Sequence, residues 1–76
     1  MKKFRVEFNE SGFYQGAGIW EVLDETAEIT AENAQQAIEC VVDYLLEDDE
    51  NANEYAYRAS EIINGEYDYN NWEFRD

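Results

Sequence analysis

Histidine and proline are absent from these 76 residues, and cysteine occurs once, as Cys40. Without histidine no Ser–His or Cys–His nucleophilic pair can be assembled. A single cysteine cannot close an internal disulfide, the usual state of a chain kept in a reducing compartment, so the expected location is the cytosol. No run approaches the roughly 18 apolar residues that cross a bilayer. Lys2 and Lys3 lead into Phe4-Arg5-Val6-Glu7 rather than an apolar segment, so no secretion signal is expected. Cations are scarce too: five Lys and Arg stand against 19 Asp and Glu, a net charge of -14. Phosphate contacts need Lys and Arg, so direct nucleic-acid binding is disfavoured. Anionic membrane surfaces would repel such a chain.

What is present is globular in kind. Hydrophobic residues make up 45% and aromatics 16%, too many for the acidic, aromatic-poor disordered class. The length implies one domain, residues 1–76. A chain this short buries only about 60–65% of its unfolded surface. From residue 6 onward two cations face 19 acids. Colloidal stability asks for a net charge of only ~2–8, and the excess opposes folding through self-repulsion.

Phe4, Val6 and Phe8 alternate with Lys3, Arg5 and Glu7, the period-two pattern of a half-buried strand over 3–8. Asn9-Glu10-Ser11-Gly12 reads as a turn, and 13–18, with Gly16 and Gly18, as irregular. Residues 19–29 change parity near Asp24-Glu25, which predicts one long bent strand or two short ones. Thr30 is an N-cap residue type, and Glu32 suits the positive end of a helix dipole. Ala34, Ala37, Ile38, Val41, Val42, Leu45 and Leu46 then form an apolar stripe at three- and four-residue spacing, a helix over roughly 31–47. Residues 51–54 read as a polar linker. Residues 55–63 are rich in strand formers. Asn64-Gly65 is the type I′ hairpin signal, and 66–74 returns with a bulge at Asn70-Asn71. The expected fold is α+β, a small antiparallel sheet with one amphipathic helix on it, in the order β-β-α-β-β.

Chemistry of sites finds little support. Cys40, beside the apolar stripe, reads as a small buried hydrophobe whose negative surroundings oppose a reactive thiolate. Asp49, Asn51 and Asn53 occupy positions 1, 3 and 5 of an EF-hand loop, but Glu54 stands where glycine is needed and Ser60 where the closing glutamate is needed. No catalytic residue, metal site or cofactor is expected. The aromatic set Tyr55, Tyr57, Tyr67, Tyr69, Trp72 and Phe74 lacks adjacent cations, so core packing and cross-strand pairing explain it better than a base-stacking platform. Exposed tyrosines among acids would still anchor a protein interface.

The charge is ordered. Glu39, Asp43 and Glu47 share one helix face at i, i+4 and i+8, with a rise of ~6 Å per step. Glu47-Asp48-Asp49-Glu50 then places four acids at the negative end of the dipole, where each opposes the helix. Glu66 and Asp68 share a strand face, ~6.6 Å apart. Such rows resemble the spacing of phosphates along a nucleic-acid strand, whose axial rise is ~3.4 Å per nucleotide. The candidate partner surface is therefore Glu47, Asp48, Asp49, Glu50 and Glu54, extended by Glu39 and Asp43, with Glu66 and Asp68 as a second row.

In its size, its charge, the 47–50 cluster and its sheet-plus-helix plan, the chain resembles the small acidic inhibitors of phages and mobile elements, the DNA-mimic anti-CRISPR and anti-restriction proteins. The resemblance is one of type over the whole chain, with no motif matched residue by residue. It implies a non-catalytic blocker of a basic nucleic-acid-binding protein, a Cas effector or restriction enzyme, acting inside a bacterial cell. The expected state is a monomer or weak dimer, since a sheet edge such as 66–74 could pair although its acids oppose that. Two other readings stay open: an acidic adaptor or immunity-type partner of a basic protein, and an acidic housekeeping domain with no single partner.

Overall fold

Alternation along the first strand becomes the two faces of a sheet. A computed structural model describes residues 1–12, 19–23 and 28–75. Strand β1 (Lys2–Asn9) lies at the centre. On one side it pairs antiparallel with β2 (Glu21–Val22) and then β3 (Glu28–Ala31). On the other it pairs along its length with β4 (Ala56–Ile63). Beyond β4 lie β5 (Glu66–Tyr67) and β6 (Glu73–Phe74). The order across the sheet is β2-β1-β4-β5, with β3 continuing beside β1 and β6 beside β4. The helix α1 (Ala34–Leu46) crosses one face from β3 to β4. The fold is α+β, as the sequence pattern implies.

Among the described residues there are six strands where four are expected, two short ones on each side of the central pair. Glu7 faces Val22 and Arg5 faces Glu28, so the sequence separation between Val22 and Glu28 exceeds that between Arg5 and Glu7 by four. The expected break near Asp24-Glu25 and the irregular stretch 13–18 lie outside the described residues. On the other side, Ile62 faces Tyr67 and Ala59 faces Glu73. Three extra residues are looped out between them, where Asn70-Asn71 predicts a bulge. Asn64 and Gly65 both have positive φ, 56° and 83°, as a type I′ turn requires. The 9–12 turn also forms: the Gly12 N–H donates to the Asn9 carbonyl at 3.1 Å. Gly12 has φ +80°, and a Cβ there would lie 3.2 Å from the Glu54 carbonyl.

The even residues of β1 make the core. Phe4, Val6 and Phe8 pack with Tyr57 and Ala59 of β4 and with Ala34, Ala37, Ile38, Val41 and Val42 of α1. Three expectations change. Thr30 is not the N-cap, because β3 extends through it and pairs it with Lys3. Asn33 caps instead, its side chain accepting from the Gln36 N–H at 2.8 Å, while Gln36 Oε1 accepts from the Glu32 N–H at 2.7 Å. The helix thus starts at Ala34, and its first turn holds no acid. Residues 50–54 form a 3₁₀ turn (Glu50–Glu54) around the fully buried Ala52, not a featureless linker. Cys40 is exposed, not buried, because the stripe of α1 that meets the sheet passes it by. Among the described residues, no helix is long and apolar enough to cross a membrane.

Candidate functional site

Every cation of the chain is drawn into an ion pair within the fold. The buried Glu7 carboxylate, 5% exposed, accepts from Arg5 Nε at 2.8 Å and from Arg58 Nε and Nη2 at 2.8 and 2.5 Å. Burial of a carboxylate requires this degree of pairing. Arg75 reaches Glu39 with Nε at 2.7 Å and also donates to the Asn53 carbonyl and side chain at 3.0 and 2.9 Å. Lys2 and Lys3 stand 3.9 Å from Glu61 and Glu28 at the surface. Glu39 is thus partly neutralised, and its place in the partner surface weakens.

The helix end keeps its charge. Asp43, Glu47, Asp48, Glu50 and Glu54 are exposed, with no ion pair among the described residues. They sit on a well-tied ridge. The Leu45 carbonyl accepts from the Asp48 and Asp49 N–H groups at 3.1 and 2.9 Å. The Tyr57 hydroxyl, buried, donates to the Ala52 carbonyl at 2.6 Å and so pins the 3₁₀ turn to the core.

Asp49 differs from its neighbours. Its side chain caps the 3₁₀ turn, accepting from the Asn51 N–H at 2.9 Å and from the Tyr55 hydroxyl. The Tyr55 hydroxyl and then the Asn51 N–H hold its carboxyl below the usual range. The same hydrogen bond to Asp49 pushes the Tyr55 phenol up, helped by partial burial and the nearby charges of Asp49 and Glu10. Asp49 and Asn51 are therefore committed to the turn. No three Asp, Glu or Cys side chains gather around a metal position among the described residues.

Glu66 and Asp68 lie elsewhere. They follow the hairpin: Glu66 pairs with Ile63 at the far end of β4, and Asp68 lies beside Ser60, midway along it. With Glu61, Ile63, Tyr67 and Asn71 they line a shallow groove. The Asp68 side chain accepts from the Asn70 N–H at 2.9 Å, and its carbonyl accepts from the buried Ser60 hydroxyl at 3.0 Å. The fold thus divides the nine acids into an open ridge (Asp43, Glu47, Asp48, Glu50, Glu54), two committed groups (Glu39, Asp49) and a separate pair.

The aromatics also divide. Tyr57 belongs to the core, and burial, reinforced by Glu39 and Asp49 and opposed by Arg75, pushes its phenol up to about 12. Tyr67, Tyr69 and Phe74 are exposed, contrary to a core role. Trp72 packs on Arg58, a contact that sequence reasoning missed because its partner lies 14 positions away on a strand whose pairing sets the encounter. No protein-family model, curated protein or solved structure matches the chain.

Proposed function

We propose that this protein is a non-catalytic inhibitor whose acidic ridge stands in for DNA and blocks the DNA-binding site of a basic bacterial defence protein, a Cas effector or a restriction enzyme. The observation that carries the reading is the use of charge. All five cations are spent on internal pairs, while Asp43, Glu47, Asp48, Glu50 and Glu54 stay open on a ridge held by the 3₁₀ turn. A ridge fixed before binding loses little conformational entropy on association. Complementary fields then speed the encounter with a basic channel.

A pull-down from bacterial lysate tests this. A basic nucleic-acid-binding protein should be captured at low salt, released at high salt, and displaced by double-stranded DNA. Capture that DNA does not disturb would favour the second reading, an acidic adaptor or immunity-type partner of a basic protein. That reading draws support from the exposed Tyr67, Tyr69 and Phe74, which a purely electrostatic mimic does not need. Charge reversal at Asp48 and Glu50 to Lys should abolish capture with the fold intact. Asp49 is unsuitable for this test, since its loss would also loosen the turn.

A further inference from the structure

The sheet face away from α1 is a layered stack of rings and guanidinium groups. The Arg58 guanidinium carbon lies 4.2 Å from the Trp20 ring centroid and 4.1 Å from that of Trp72. Tyr69 meets Trp72 edge-on at 6.2 Å and stands 6.0 Å from Arg58. Arg5 lies 4.7 Å from the Tyr67 ring, which packs on Trp72 at 5.7 Å. A guanidinium is drawn to the negative face of an aromatic ring. This one set of rings already engages two arginines, which share the single carboxylate of Glu7.

The stack ends in open rings. Tyr69 is 66% exposed and Tyr67 37%. Around them the chain from 61 to 74 has four acids, Glu61, Glu66, Asp68 and Glu73, and no cation. The groove containing Glu66, Tyr67 and Asp68 runs beside them. The Asp68 turn and the Ser60 hydroxyl hold this segment in place before anything binds.

We propose that the 61–74 arm is a docking surface for an arginine-bearing segment of the basic protein partner, a partner guanidinium stacking on Tyr69 with Glu66 and Asp68 as its counter-charges. Charge complementarity selects the occupant: Glu61 is paired with Lys2, but Glu66 and Asp68 have no ion pair among the described residues, and they repel anionic ligands. The rings select arginine over lysine, because a planar, weakly hydrated guanidinium stacks and can bond a carboxylate in bidentate fashion, whereas an ammonium is a strongly hydrated point charge. This inference rests on the reading that the partner is a basic protein. It adds a second contact, on the sheet face away from α1, that reads side-chain type as well as charge.

The test compares an arginine decapeptide with a lysine decapeptide of equal charge, each titrated into the intact protein at one low ionic strength and followed by amide chemical shifts. The arginine peptide should bind about two- to fivefold more tightly, the worth of one exposed cation–π contact. Its largest shifts should fall at 66–72. Tyr69→Leu, which keeps the bulk and removes the ring, should erase the preference, lowering arginine-peptide affinity more than lysine-peptide affinity. Tyr69→Phe should retain it. Equal affinities in the unaltered protein, or arginine-specific shifts confined to 43–54, would overturn the proposal while leaving the acidic-ridge reading intact. Failure of both peptides to bind would remove both.

Discussion

The two faces of β1 are covered by opposite means. The even residues Phe4, Val6 and Phe8 meet the apolar stripe of α1, a dry core of ordinary kind. The odd residues Arg5 and Glu7 meet Arg58 and a layer of tryptophans and tyrosines. The chain has one described helix to cover one face, so the other face is closed by side chains. An arginine between rings covers area as a hydrophobe does and also answers a buried carboxylate. Drawing the cations inward, to Glu7 and Glu39, leaves the outward charge of the ridge uncancelled.

The comparison breaks most sharply at Glu7. Glu7→Ala strands the guanidinium of Arg58, 13% exposed, and should cost about 3–5 kcal/mol by urea denaturation. That is a large share of the roughly 4–11 kcal/mol expected for a domain of this length. Ile38→Ala, in the dry core with 0% exposure, should cost about 2–5 kcal/mol through the cavity it leaves. If Glu7→Ala instead proved much milder than Ile38→Ala, the ring-and-arginine layer would be a surface decoration rather than a second core.

Smaller effects separate neighbours on the ridge. Asp48→Lys replaces an unfavourable charge at a helix C-terminus and should stabilise by about 0.3–1 kcal/mol at low salt. Asp49→Ala removes the cap of the 3₁₀ turn and the acceptor of Tyr55, so it should lower the melting temperature. Equal responses at the two positions would mean that the turn geometry is unimportant. Added salt should raise the melting temperature of the isolated protein by screening its self-repulsion.

Titration sharpens the same contrast at its two extremes. The Asp49 carboxyl is depressed in the fold, so its stabilising contribution is present above its ordinary value of 3.8 and is lost as pH falls through the lower folded value. Tyr57 is raised to about 12, so its contribution is present below its ordinary value of 10.0 and is lost as pH rises through about 12. Melting temperatures measured across both limits should fall at each end. In Tyr57→Phe the alkaline loss should diminish.

Much of the fold was legible because its signals are local. The alternation over 3–8 marks β1, the stripe from Ala34 to Leu46 marks α1, and Asn64-Gly65 marks the hairpin. Thr30 misled because its capping propensity lost to pairing with Lys3 in β3, and Asn33 took the role three residues on. Cys40 misled because adjacency to an apolar stripe does not decide which edge of the helix the sheet covers. At the site, the row Asp43, Glu47, Asp48, Glu50 and Glu54 could be read directly from acid spacing. The diversion of Glu39 to Arg75, 36 positions away, could not, and neither could the capture of Asp49 by Tyr55.

The sequence by itself determined the net charge of -14, the strand and helix periods, and the lack of a histidine-based catalytic pair. These are properties of composition and of neighbours a few residues apart, which backbone geometry converts directly into faces. Only the tertiary structure decided which charges cancel. Arg58 meets Glu7 across 51 positions because β1 and β4 lie side by side, in a register that the core residues on their other face enforce.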